Sequence, residues 1–94
     1  MNSATARGIE ESDFFLALVT EAFMAEEGQR KEEIAYAKAL GKPFALAIEK
    51  GVDPGNWFDG CNVIGRITFD RDKLDDKQID DWLKGLRDSL LKGD

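Results

Sequence analysis

The 94-residue chain contains no histidine and a single cysteine, Cys61. Without histidine, nucleophilic systems of the Ser-His and Cys-His kinds are excluded. One cysteine cannot form a zinc site of the Cys/His type, nor an internal disulfide bond. We therefore predict a protein without a bound metal ion, and no motif calls for a cofactor.

The chain also lacks a basic patch and any long apolar run. Its net charge is −6, which argues against a nucleic-acid surface or an anionic membrane surface as partner. No apolar run approaches the roughly 20 residues of a membrane span, and no signal segment opens the chain. These observations predict a cytoplasmic protein that binds neither nucleic acid nor membrane.

One of only two prolines marks the segment around which the chain is organised. Strong helix formers from Gly28 to Leu40 lead into Gly41, which suits the position after a helix end, and Pro43 prevents continuation. The unbroken apolar run from Phe44 to Ile48 then predicts a strand buried on both faces. A similar run, residues 14–19, predicts an earlier strand, so the segment is the second half of a β-α-β unit.

The remaining elements follow from hydrophobic patterning. Polar Arg66 and Thr68 alternate with apolar residues in a third strand, residues 63–69, which places it at a sheet edge. A last helix begins at Asp75, with Gln78 completing a capping box and Leu74 a hydrophobic staple. Its apolar stripe, suited to covering a sheet face, consists of Ile79, Trp82, Leu83, Leu86 and Leu90. Residues 1–12 could form a short helix after Ser3 but have too few apolar positions to anchor it, and a turn of helix at Phe23 and Met24 is predicted to end at Gly28.

These elements predict one α/β domain, residues 1–94, in the order β-α-β-β-α. The sheet is small, parallel and three-stranded, and the last helix crosses to its other face to give three layers. In such sheets ligands bind beyond the carboxyl ends of the strands, near helix N-termini. The segments predicted to lie there are Thr20 to Ala22, Gly28 to Glu33 and Glu49 to Trp57.

Glu33 is the candidate catalytic residue among them. It lies about one turn inside the main helix, beside the buried stripe, so its carboxylate can lean towards the strand ends and be partly desolvated, as acid-base chemistry requires. The simpler interpretation is that Glu32 and Glu33 are surface carboxylates favoured by the helix dipole, and spacing alone favours it.

The candidate ligand-binding residues have equally plain alternatives. Trp57 suits stacking on a base but also suits filling the core. Arg30 suits holding a phosphate but also suits pairing with a nearby glutamate. The full candidate set for ligand binding is Thr20, Glu21, Gly28, Gln29, Arg30 and Trp57. Glycine-rich fingerprints for dinucleotides or nucleoside triphosphates are absent from the sequence.

The order and spacing of several short motifs resemble two known families. The motifs are Ile9-Glu-Glu-Ser-Asp13, Thr20-Glu-Ala-Phe23, Lys31-Glu-Glu33-Ile34-Ala-Tyr-Ala37 and Leu40-Gly-Lys-Pro43. Together they resemble the middle of Toll/interleukin-receptor (TIR) domains, and they are similar to the nucleoside 2-deoxyribosyltransferase family. The likeness covers roughly residues 8–49, and the last strand and helix agree in pattern alone.

The resemblance implies a role for Glu33 in cleaving an N-glycosidic bond, with a nucleoside or NAD as ligand. Three departures weigh against a self-contained enzyme. Gln29 stands where TIR enzymes have tryptophan, Thr5 stands where deoxyribosyltransferases have aspartate, and we expect no counterpart of the families' first strand in this chain.

We therefore expect a shortened TIR-like module that is non-catalytic alone and acts by associating with itself or a partner. The alternative is a nucleoside or NAD N-glycosidase or 2-deoxyribosyltransferase whose site is completed across a dimer, and a domain without any ligand is a third. The apolar first strand has no charge or proline to protect an open edge, which predicts a homodimer.

Overall fold

The described residues of the computed structural model, 2–73 and 75–91, form four helices and one parallel sheet. The predicted small α/β fold is confirmed. The helices are α1 (Ser3–Glu11), α2 (Glu21–Ala25), α3 (Glu27–Ala39) and α4 (Asp76–Leu91), and the strands are β1 (Phe15–Val19), β2 (Phe44–Glu49) and β3 (Val63–Phe69). A single 3-10 turn, Arg71–Lys73, precedes α4.

The sheet has the order β1-β2-β3 with every pairing parallel, so β2 is the central strand. Every residue of β2 is buried, as its unbroken apolar run predicts for a strand covered on both faces. The chain reaches β2 through Gly41, whose φ of 73° is a left-handed conformation that glycine adopts without strain. The predicted helix, stop and strand are therefore confirmed.

One face of the sheet carries the main core. Phe44, Leu46 and Ile48 point to this face and pack with Ile34 and Ala37 of α3. The sequence predicts a packing stripe of Ile34, Ala37 and Leu40 on this helix. Ile34 and Ala37 pack against the central strand as predicted, whereas Leu40 lies just after the last turn and is 44% exposed. Small side chains on the helix allow close approach to the large side chains of β2.

The opposite face is covered by α4, which completes the three layers. The alternation of β2 turns Ala45 to this face, and Gly65 is its register partner on β3. Leu86 and Trp82 of α4 lie so close over Gly65 that a Cβ there would be 2.9 Å from both Leu86 methyl groups. The stripe on α4 is half-buried at these positions, and Leu90 near its end is exposed.

A methyl group at Gly65 should therefore disturb this helix contact. We expect Gly65→Ala to lower the free energy of unfolding by about 1 kcal/mol, because the Leu86 side chain must leave its position over the sheet or α4 must shift to accommodate the added carbon. Gly85→Ala on α4 is the matched control: its Cβ would meet nothing within 4 Å, and alanine is the better helix former by about 1 kcal/mol. Urea denaturation of both variants checks this, and destabilisation by Gly85→Ala alone would contradict the placement of α4.

Two sequence predictions need correction at the amino-terminal half. Residues 3–11 do form a helix, because Asn2 caps it by accepting a hydrogen bond from the Thr5 N–H at 2.8 Å and Ile9 anchors it in the core. Gly28 was predicted to end a turn of helix, but it lies inside α3. The helical path breaks earlier, at Glu26, between α2 and α3.

The cap predicted for the start of α4 is observed in part. The Asp75 side chain accepts a hydrogen bond from the Lys77 N–H at 2.9 Å, as an N-cap residue does. Gln78 is exposed, and its returning bond in the capping box is not among the observed hydrogen bonds of the described residues. Leu74, the predicted staple residue, lies outside the described residues.

Candidate functional site

Parallel strands joined by helices bring several predicted residues to one end of the sheet. Thr20 directly follows β1, and α3 runs back antiparallel to the strands, so its first turns lie towards their carboxyl ends. Glu49 closes β2 at the same end. Glu33, at the middle of α3, and Glu49 are the two carboxylates that are buried among the described residues.

Glu33 is buried beneath Arg30. Only 6% of Glu33 is exposed, and its Oε1 lies 3.1 Å from a terminal nitrogen of Arg30. The second terminal nitrogen of Arg30 lies 3.0 Å from Oε2 of Glu26. The guanidinium carbon lies 5.3 Å from the centre of the Phe23 ring, a cation-π distance. Arg30 therefore pairs with the negative charge of Glu33 and also covers its side chain.

This arrangement fixes what Glu33 can do. A carboxylate that attacks a sugar carbon needs open access to it, and here only 8% of the Glu33 side chain is exposed beside Arg30. The Nε atom of Arg30 is buried and has no hydrogen-bond partner, so the guanidinium is held by its two terminal nitrogens and by its contact with the Phe23 ring. As observed, the pair is a closed structural ion pair, which agrees with the simpler interpretation of Arg30.

Thr20 has a structural role, and Glu21 is exposed to solvent. The Thr20 hydroxyl caps α2 by accepting a hydrogen bond from the Phe23 N–H at 3.1 Å, which uses one lone pair of the group that would contact a ligand. Glu21 is exposed in the first turn of α2. Gly28 and Gln29 are exposed on the first turn of α3. No observed side-chain contact of the described residues joins any of these four to the Glu33 carboxylate.

Trp57 lies on another flank of α3. Its ring centre is 6.0 Å from that of Phe23, and the Lys31 ammonium group lies 5.4 Å from the indole centre. Phe23 thus contacts both Arg30 and Trp57 and stands between them. The indole is half-buried, so Trp57 fills part of the core and still presents a surface to solvent.

Glu49 belongs to the site region in a way that the sequence did not reveal. We predicted it as the first loop residue after the second strand, whereas it is the last residue of β2 and is 6% exposed. Its Oε2 is buried without a hydrogen-bond partner. The signal in the sequence is a charged residue that directly follows an apolar run. Whether such a residue still belongs to the buried strand or already to the loop depends on the burial of the neighbouring strands.

Searches of protein-family models, curated proteins and solved structures found no match to this chain. The resemblance to TIR domains and deoxyribosyltransferases thus stays a prediction. Across residues 2–73 and 75–91, no three His, Cys, Asp or Glu side chains are grouped so as to hold a metal ion. Within that same part of the chain, none of the helices has the length and apolar character needed to cross a membrane.

Proposed function

We propose that this domain is a TIR-like association module that pairs with a second copy of itself through the edge of β1, and that it is not catalytic alone. The observation that carries the proposal is the open edge of β1. Within the described residues β1 has a neighbouring strand on one side only. Sheet edges of this kind are templates for pairing with another chain.

The backbone of β1 offers hydrogen-bonding groups at that edge. The N–H of Phe15 donates to Pro43 O at 2.8 Å, towards β2. In parallel pairing, alternate residues turn their N–H and C=O groups to opposite sides. Leu16 and Leu18 therefore direct theirs away from β2, to the open edge, where Leu18 O accepts one bond from the Thr20 N–H.

The side chains favour β1 over β3 as the pairing edge. No residue of β1 is charged, and Leu18 is 40% exposed although it is a large apolar residue. The other edge strand, β3, carries an exposed charge at Arg66, a common protection against pairing. A partner at β1 would meet no charge to desolvate, whereas a partner at β3 would have to desolvate Arg66.

The amino-terminal helix leaves this edge accessible. Ile9 of α1 packs into the core cluster that contains Ile34 of α3. The Lys42 ammonium group fixes the end of α1 by donating to Glu10 O and Ser12 O, both at 2.8 Å. Among the hydrogen bonds observed in the described residues, none joins the backbone of residues 2–12 to Leu16 or Leu18, so these residues do not pair with the edge.

Two-fold symmetry gives one register that uses the outward groups of β1. A two-fold axis that pairs β1 with itself makes the two strands antiparallel. With Ala17 at the axis, Leu16 of one copy lies opposite Leu18 of the other, and the outward N–H and C=O groups of both can bond. The result is a continuous six-stranded sheet.

Lysines at the two sheet edges test this assignment. We expect Leu18→Lys to weaken self-association about tenfold or more, because a charge at a paired edge must be desolvated. Val63→Lys adds the same charge at a residue 39% exposed on β3, so it serves as the matched control and should leave association unchanged. Light scattering at micromolar concentration should give twice 10.5 kDa for the unmodified chain and for Val63→Lys.

Three outcomes of that measurement would contradict the proposal. They are a mass of 10.5 kDa for the unmodified chain, an unchanged dimer for Leu18→Lys, and dissociation by Val63→Lys alone. Ala17 is unsuitable for this test because it is fully buried and a lysine there would disrupt the core.

The ion pair over Glu33 supports the absence of catalysis by the single chain. Incubation with NAD or with a panel of deoxynucleosides is expected to release no base, because the carboxylate is buried and paired with Arg30. Chromatography of the products checks this. Release of base that Glu33→Gln abolishes and Glu32→Gln leaves intact would instead favour the N-glycosidase or transferase alternative.

A further inference from the structure

A small groove lies between α3 and the loop that follows β2, away from Glu33. Its volume is about 260 Å³, and α3 contributes Lys31, Ala35 and Lys38 to its wall. At 3.6 residues per turn these residues share one side of the helix, roughly opposite Glu33. The loop contributes Trp57 and Asp59. The groove is therefore separate from the covered carboxylate and from the edge of β1.

The apolar part of the groove suits one flat ring. The indole of Trp57 forms one wall, and Ile34 and Ala35 supply aliphatic surface. The indole is held in place by its contact with Phe23, with ring centres 6.0 Å apart, so the wall is preformed. Ligand pockets for drug-sized molecules usually exceed about 300 Å³, so the volume fits a smaller ligand.

The charged part of the groove suits an anion. Lys31 and Lys38 lie seven residues apart, about 10 Å along the same side of the helix, so their long, flexible side chains can approach one anion from both sides. The Lys31 ammonium group lies 5.4 Å from the indole centre and 2.7 Å from Oε1 of Glu27. That pair is exposed and of the weak i,i+4 kind, so a ligand anion can take over the ammonium group.

The Lys38 ammonium group makes one long hydrogen bond and can still donate others. Its ammonium group donates to Asp59 O at 3.3 Å, near the limit of a hydrogen bond, and has two further protons. The bond pins the ammonium group beside Gly60, where an added Cβ would lie only 2.7 Å from it. Both ammonium groups are thus held at the groove by protein contacts.

We propose that this groove binds a small aromatic phosphate monoester. The ring packs against Trp57 and Ala35, and the phosphate lies between the ammonium groups of Lys31 and Lys38. Two cations favour a phosphate monoester, which carries about −1.5 to −2 charges at pH 7, over a singly charged carboxylate. The Asp59 carboxylate opposes the ligand charge and limits affinity.

Nuclear magnetic resonance titration with phenyl phosphate tests the proposal on the full chain. The Trp57 indole N–H signal is distinguished from that of Trp82 with the variant Trp82→Phe. We expect phenyl phosphate to shift the Trp57 signal with a Kd of about 1 mM. Inorganic phosphate, which lacks the ring, and benzyl alcohol, which lacks the charge, should each bind at least about tenfold more weakly.

Variants of the charged residues make the test specific. Lys31→Ala and Lys38→Ala should each weaken phenyl phosphate binding about tenfold, whereas Lys84→Ala on α4 should leave it unchanged. Asp59→Asn should strengthen binding. The proposal is overturned if phenyl phosphate leaves the Trp57 signal unshifted, if inorganic phosphate binds as well, or if Lys84→Ala weakens binding as much as Lys31→Ala does.

Discussion

Replacing Phe44 with alanine is expected to lower the free energy of unfolding by about 3–5 kcal/mol, the usual cost of emptying a phenylalanine site in a core. Phe44 is fully buried on the central strand. Its ring centre lies 5.2 Å from that of Phe15 and 6.1 Å from that of Phe58. The substitution thus removes contacts with β1 and with the loop after β2 together. For a small domain this is a large part of a total of about 5–15 kcal/mol.

Leu40→Ala is the control for this prediction. Leu40 is also a large apolar residue close to the start of β2, but it is 44% exposed, so its loss should change stability by no more than about 0.5 kcal/mol. Urea denaturation followed by circular dichroism compares the two midpoints. Equal midpoints would mean that Phe44 is not the central core residue.

Proline at two neighbouring positions of β1 is expected to give opposite results. The N–H of Ala17 points towards β2, so Ala17→Pro removes a sheet hydrogen bond and forces a ring into the core, and each of these effects costs about 1–3 kcal/mol. The N–H of Leu18 points to the open edge, where proline is tolerated. Leu18→Pro should therefore keep the fold and lose self-association.

Thermal unfolding and light scattering together check the proline pair. Loss of cooperative unfolding in Ala17→Pro with its retention in Leu18→Pro is the expected pattern. The reverse pattern would show that the outward-facing residues of β1 have been assigned wrongly. A folded Leu18→Pro that still forms the dimer would place the contact between copies elsewhere.

The sheet and its main helix could be predicted from the sequence because their signals are local. The apolar run ending at Ile48 reports burial on both faces, and Gly41 with Pro43 reports the helix end, whatever surrounds them. The alternation of polar and apolar residues around Arg66 likewise predicts an edge position for β3, which is where the structure places it. Each of these predictions depends on a few adjacent residues.

The state of the candidate site could not be predicted because it depends on contacts between elements. The position of Glu33 on the helix was evident, but its cover was not, since Arg30 is held by Phe23 of a different helix. The groove beside Trp57 depends on the path of the loop after β2, which carries no periodic signal. The prediction that Gly28 ends a turn of helix was wrong because glycine more often ends a helix than lies inside one.

The central claim, pairing of two copies through β1, is tested most directly by isotope-filtered nuclear Overhauser spectroscopy on a mixture of labelled and unlabelled chains. Contacts between copies should connect the backbone of Leu16 in one chain with that of Leu18 in the other, as the antiparallel register requires. Contacts between copies that avoid β1, or none at concentrations up to about 1 mM, where even an association of about −4 kcal/mol would be half formed, would contradict the account.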